Sequence, residues 1–258
     1  IGSIKSFEVI SDPVSQIVRE QYEENPFPRW RYTYRKTSYN PLVLINNQIN
    51  PNNIQLNDKF DRPKVLIAGC GTGKQIFIAQ NYLNAKIFAV DLSKKSLAYA
   101  KRKVEESKID NVEFIHADIL KLNNLDRKFD IIECVGVLHH MKDPLKGLEV
   151  LLNLLKPHGF MKLGLYSDIA RQNIEQARQL IVKKNYKSKF QDIIKFRQEI
   201  IKEKKDESIK KISHKLDFYS TSGVRDLLFH VQEHRFTLPQ LSEIIFNFNL
   251  EFLGFSDM

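Results

Sequence analysis

Between positions 64 and 166 five short apolar runs alternate with helix-like stretches. The runs are VLIA at 65–68, IFAV at 87–90, VEFI at 112–115, FDIIECV at 129–135 and FMKLGLY at 160–166. Runs of this length, dominated by apolar residues, suit buried strands. The intervening stretches at 73–84, 94–107 and 144–155 are long enough for crossover helices, with Ser93 and Asp143 as N-caps and Pro144 in a first turn. Strand, helix, strand in this rhythm specifies right-handed crossovers and a parallel sheet. With 258 residues and 42% of them hydrophobic, the chain has enough apolar side chains for such a core, which excludes general disorder and a disulfide-stapled mini-protein.

The sharpest local signal is VLIAGCGTGKQ at 65–75, where a strand runs into a loop with Gly69, Gly71 and Gly73 at alternate positions. A tight turn whose backbone must meet a ligand closely needs residues without Cβ. A phosphate-gripping P-loop is one residue longer and ends in Lys followed by Ser or Thr, whereas Gln75 follows Lys74 here. A dinucleotide fingerprint needs a glycine where Lys74 stands.

The G-x-G-x-G pattern resembles the glycine loop of the class I S-adenosylmethionine-dependent methyltransferases, and the resemblance extends over roughly 62–166. Asp91, in IFAVDLS, lies 18 residues past Gly73, where a carboxylate can accept from both ribose hydroxyls. Asp118, in VEFIHADIL, stands where family members hold the adenine amino group. FDIIECVGVLHHMKDP is similar to the family's fourth motif, and LLKPHGFMKL to its turn into the fifth strand, with His158 in place of a usual glycine. The resemblance implies a Rossmann-like α/β sheet flanked by helices and S-adenosyl-L-methionine as cofactor. It implies cofactor contacts at Gly69, Cys70, Gly71, Gly73, Asp91, Leu92, Asp118, Ile119 and Val135. QYEENPFPRW at 21–30 and RDLLFHVQEHRFTLPQL at 225–241 resemble segments of bacterial methyltransferases often attached to tetratricopeptide repeats.

The expected organisation is an N-terminal lid over 1–60, the cofactor-binding core over 61–167, a basic helical insertion over 168–217, and an acceptor-side segment over 218–258. In the first part a helix is expected at 13–24 and irregular chain after it. EFLGF at 251–255 reads as the sixth strand, which puts the insertion between strands 5 and 6. The family's seventh strand has no counterpart. The sequence opens at Ile1 rather than Met, as expected for a piece of a longer chain.

Methyl transfer from a sulfonium needs alignment and exclusion of water more than it needs particular side chains. A nitrogen or oxygen acceptor is helped by a base, and His139, then His140, are the candidates, just past the fourth strand. Tyr22 and Arg29 are placed to reach the cofactor from the lid, while Trp30 reads equally as packing. His230, His234 and Tyr219 are acceptor-side candidates. His230-Val-Gln-Glu233-His234 matches the H-x-x-E-H zinc motif, but too little chain follows for a distal ligand, so no metal is expected. Cys70 and Cys134 read as small fillers on adjacent strands, and two cysteines suit a reducing cytoplasm. No apolar run is long enough for a membrane span.

The net charge of +9 is concentrated. Residues 183–215 hold twelve Lys and Arg against five Asp and Glu, so seven of the nine charges lie there. Phe190, Ile193, Ile194, Ile200, Ile201, Ile209 and Ile212 recur at helical spacing through it, so the lysines read as the solvated face of amphipathic helices. A protein or small-molecule acceptor is thereby favoured over nucleic acid. The alternative to an enzyme is a catalytically silent cofactor-binding partner within a complex.

Overall fold

The computed structural model describes residues 4–32, 37–49, 51–55, 60–203 and 206–256. Its strands are β1 (Lys5–Ser6), β2 (Lys64–Ala68), β3 (Lys86–Asp91), β4 (Val112–His116), β5 (Phe129–Val135) and β6 (Leu155–Gly164). Its helices are α1 (Pro13–Glu24), α2 (Pro41–Gln48), α3 (Lys74–Ala79), α4 (Lys94–Glu106), α5 (Pro144–Leu154), α6 (Gln172–Lys183), α7 (Phe190–Lys202), α8 (Glu207–Lys210), α9 (Thr221–Phe229) and α10 (Leu238–Asn247). The strands form one parallel sheet in the order β1-β4-β3-β2-β5-β6.

Alternation along each strand divides the interior into two cores. Val65, Ile67, Ile87, Ala89 and Ile131 face Leu97, Ala100 and Val104 of α4 and Ile45 of α2. Leu66, Ala68, Phe88, Val90, Ile132 and Cys134 face Leu148, Leu151 and Leu154 of α5. Caps fix the helix starts: Asp12 accepts from Ser15, Ser93 from Ser96, and Asp143 from Leu145 and Lys146. The chain runs outward from β2 to β3 and β4, then returns across β2 to β5. The crevice at that reversal, beyond the carboxyl ends of β2 and β5, is where open α/β sheets bind ligands.

Three expectations need correction. The sixth strand is supplied by β1, which pairs with β4 at the sheet edge, and no strand forms at 251–255. Those residues lack a ladder partner among the described residues; instead Leu253 packs into the α2 side of the core and its carbonyl accepts from Asn52 Nδ2 at 2.7 Å. The helical segment therefore follows the last strand of the sheet rather than standing between two strands. The second correction is α2, where irregular chain is expected; Asn40 caps it through Leu42, and Ile45 is buried. The third is the extent of the helical unit. Phe218, Val224, Leu227, Leu228 and Phe229 share one core with Ile174, Ile181, Ile193, Ile200, Ile209 and Ile212, so the unit continues past 217 to the end of α9. Of its apolar stripe Ile193, Ile200, Ile209 and Ile212 are buried as the spacing implies, Ile194 is half-buried, and Phe190 and Ile201 are exposed.

Candidate functional site

A cavity of about 300 Å³ opens at the switch point. Gly69, Cys70 and Gly71 line it from the loop after β2, Asp91 and Leu92 from the end of β3, Asp118 and Ile119 from the end of β4, and Val135 from β5. Helix α1 adds Ser15, Val18 and Tyr22 along one face. Eight of the nine cofactor candidates from the resemblance thus meet in one hollow. Gly73 does not line it. It stands behind the loop at φ 94°, where a Cβ would lie 2.8 Å from Ala100 Cβ, so it lets α3 and α4 pack. Gly71, at φ 51°, has the carbonyl of Phe27 2.6 Å from where its Cβ would be.

The loop is held from two sides. Asp91 Oδ2 accepts from Gly71 N–H at 2.7 Å and Oδ1 from Ser93 N–H at 2.8 Å. Desolvation pushes this carboxyl up to about 6, against the lowering effect of those amides. On the other side Thr72 Oγ1 donates to the Pro28 carbonyl at 2.6 Å and accepts from Trp30 Nε1 at 3.1 Å. Trp30 packs edge-on to Phe77 and Tyr99, so it is a packing residue that pins the loop. Arg29 is exposed and lies off the cavity.

Asp118 uses one oxygen to cap the turn after β4, accepting from Leu120 N–H at 3.0 Å. Its other oxygen is buried with no partner among the described residues. A buried carboxylate oxygen left open on a cavity wall is an acceptor awaiting a donor.

The two histidines after β5 separate. His139 is fully buried, stacks on Tyr166 at 3.7 Å and does not line the cavity. Neither of its ring nitrogens has a hydrogen-bond partner of good geometry among the described residues, and burial pushes its pKa down to about 2 against a weak contribution from the Gly164 backbone. It is a packing residue in this fold, against the expectation of a base. His140 lines the cavity, and burial takes it down to about 4. Its Nδ1 donates to the Gln232 carbonyl at 2.7 Å. His230 is buried, stacks on His140 at 3.5 Å and reaches Tyr22 Oη with Nε2 at 3.2 Å. His234 donates its backbone N–H to the His139 carbonyl at 2.7 Å. Tyr219 is 69% exposed and lies off the cavity.

The H-x-x-E-H string is not a zinc helix. Helix α9 ends at Phe229, and Glu233 pairs with Arg171, which itself lies over the Tyr166 ring. A different trio, His140, Asp226 and His230, brings ligand atoms within 4.8 Å of one another, but hydrogen bonds already engage His230 at both nitrogens and Asp226 at one oxygen.

Sequence reasoning missed Ser15, Val18, Phe27, Pro28, Tyr166 and Asp226 as cavity residues. For Asp226 a signal existed: it is the single acid in the otherwise apolar stretch DLLF of the quoted segment.

The fold, with its cavity at the switch point, is Rossmann-like. Residues 59–167 match a family model described as a methyltransferase domain. An uncharacterised protein of Synechococcus sp. is 28% identical over 97% of this chain and 62% of its own length. A mitochondrial ubiquinone biosynthesis O-methyltransferase of Schizosaccharomyces pombe is 31% identical, over 42% of this chain and 39% of its own. The structure of PKMT2 from Rickettsia typhi, also solved in complex with AdoHcy, superposes with a TM-score of 0.67 at 27% identity, covering 89% of this chain and 45% of that one. The chain thus spans less than two thirds of the length of each of these proteins. Among the described residues no helix is long and apolar enough to cross a membrane.

Proposed function

We propose that this protein is an S-adenosylmethionine-dependent methyltransferase. The observation that carries the reading is the convergence of the Gly69–Gly71 turn, the Asp91 carboxylate and the partnerless Asp118 oxygen on one cavity at the switch point. Those groups match the three parts of the cofactor. The glycine loop would hold the methionine portion, Asp91 the ribose hydroxyls and Asp118 the adenine amino group. When bound, the cofactor supplies an electrophilic methyl group on a sulfonium.

The chain's own work is positioning and exclusion of water. Tyr22, Tyr166 and His140 complete the cavity wall beside the cofactor residues and are the surfaces we assign to the acceptor. His140 stays neutral there at physiological pH, because its depressed pKa leaves it uncharged. His230 and His234 support that wall from behind rather than touching the acceptor.

The acceptor we favour is a protein or small molecule. The basic helices carry ion pairs of their own, such as Lys184 with Glu199 at 2.8 Å, which supports a solvated face rather than a phosphate-binding one. The resemblance to repeat-linked bacterial methyltransferases and a cytoplasmic setting belong to the same proposal; two free, buried cysteines suit a reducing compartment.

Calorimetry with S-adenosylmethionine and, separately, NAD tests the cofactor assignment: binding of the first alone is expected. Tritium transfer from labelled S-adenosylmethionine into a cell lysate, split into protein, RNA and small-molecule fractions, then identifies the acceptor class. Binding with no transfer to any fraction would favour the silent partner.

A further inference from the structure

One polar group on the cavity wall, Asp226, is not among the residues assigned to the cofactor. Asp226 is 6% exposed, on a face of α9 whose neighbours Val224, Leu227 and Leu228 are buried in the helical core. No Lys or Arg among the described residues lies within ion-pair distance of it. Its partner is Tyr22, from the far end of the sequence, whose hydroxyl donates to Asp226 Oδ1 at 2.8 Å.

The direction of every proton around this pair follows from the backbone of Gln232. Its N–H can only donate, and it donates to His230 Nδ1 at 3.2 Å. Neutral His230 therefore carries its proton on Nε2 and donates it to Tyr22 Oη at 3.2 Å. The Tyr22 oxygen then has one lone pair facing His230, and its own proton goes to Asp226. The Gln232 carbonyl can only accept, and it takes the Nδ1 proton of His140 at 2.7 Å. The chain Gln232, His230, Tyr22, Asp226 is thus polarised one way and ends on a carboxylate.

We propose that Tyr22 and Asp226 form the pair that takes the proton released by the methyl acceptor. The inference rests on the methyl-transfer reading and deepens it. The acceptor's X–H bond breaks, with its proton passing to Tyr22 Oη while the Tyr22 proton passes to Asp226. The electron pair left on the acceptor atom forms the bond to the methyl carbon as the carbon–sulfur bond breaks toward sulfur. One carboxylate becomes one carboxylic acid, and the sulfonium charge is discharged. His139 is off the cavity, and His140, with its proton on Nδ1, offers only an Nε2 whose basicity burial has lowered to about 4.

The groups facing Asp226 agree with this role. Tyr22 on α1 lowers its pKa through the hydrogen bond, and Arg171 lowers it through space. Asp217 and Glu233 raise it, Tyr166 and His140 share its cavity, and His230 is neutral behind Tyr22. Burial dominates and pushes the carboxyl up to about 7, near the optimum for a general base at neutral pH.

The first test needs no acceptor. Infrared pH titration of the resting protein should show a carboxylic acid band that disappears as pH rises through about 7. Asp226→Asn should remove that band, and Tyr22→Phe should shift its disappearance to higher pH. The second test uses tritiated S-adenosylmethionine and whichever lysate fraction the wild type labels. Asp226→Asn should bind S-adenosylmethionine with an unchanged Kd, yet transfer label about 100-fold more slowly, without the rise in rate through neutral pH. A band unaffected by Asp226→Asn, or a variant that transfers at the wild-type rate, overturns the pair while leaving methyl transfer intact. A wild type that binds S-adenosylmethionine and labels nothing overturns methyl transfer, and the pair's role with it.

Discussion

The amide of Gly71 donates to the Asp91 carboxylate at 2.7 Å, tying the loop after β2 to the end of β3. With Ser93 on the other oxygen, the carboxylate is oriented before any ligand arrives. An acceptor fixed in advance spends no ordering entropy on binding.

Asp91→Ala should therefore do more than delete a ribose contact. It leaves the Gly71 and Ser93 amides without their acceptor and frees the loop. A loss of affinity for S-adenosylmethionine on the order of 100-fold is expected by calorimetry. Because the folded carboxyl sits near 6, wild-type affinity should also rise with pH between about 5 and 7 as the carboxylate ionises. A flat profile would remove Asp91 from the ribose site.

His139→Phe should stabilise the fold. The ring is fully buried, its nitrogens have no partners of good geometry among the described residues, and it stacks on Tyr166, so a phenyl ring keeps the packing and removes two poorly satisfied atoms. A gain of about 1 kcal/mol is expected in urea unfolding at neutral pH. The folded pKa is depressed, so the unfolded chain binds the extra proton below about pH 6.5, and wild-type stability is lost as pH falls from there. The advantage of the variant should grow over that range.

Asp226→Asn should show the opposite pH trend. The folded carboxyl is raised to about 7, so its contribution is complete below the unfolded value near 4 and is lost as pH rises through 7. Thermal melts should show the variant gaining on wild type as pH increases from about 5 to about 8. A constant difference would contradict the burial of this carboxylate.

Arg171 and Glu233 form a buried pair whose guanidinium also covers Tyr166. Glu233→Gln alone should cost roughly 3 kcal/mol, because the Arg171 charge stays buried, and Arg171→Met less, because Arg178 still lies 3.8 Å from Glu233. The double variant should be less damaged than the sum, which a double-mutant cycle on unfolding free energies measures.

What was legible in the sequence follows from how locally each feature is encoded. The strands β2 to β6 and the helices α1, α4 and α5 are written as contiguous apolar runs and capped starts, and Ser93 and Asp143 cap where their side chains predict. That Gly69, Gly71, Asp91 and Asp118 meet in one cavity was readable because that wall is assembled from consecutive strand ends in one order. On the other wall Tyr22 and His140 were expected near the site, but Asp226 was not, since Tyr22 and Asp226 meet across 204 positions and no spacing announces that contact. The His139-His140 pair misled because adjacent residues on a short turn point to different environments, one into the core and one into the cavity. The segment at 251–255 has a strand's composition but docks against α2, since pairing requires a neighbouring strand that composition alone does not supply.

The central claim is that this cavity holds S-adenosylmethionine by the Gly69–Gly71 turn, Asp91 and Asp118. Titrating the wild type and Asp118→Ala with S-adenosylmethionine in a calorimeter tests it most directly. One-to-one binding by the wild type, weakened at least about tenfold in the variant, is the expected result, since the adenine amino group would lose the acceptor that the partnerless oxygen provides. Absence of binding to the wild type, or equal affinity in the variant, would contradict it.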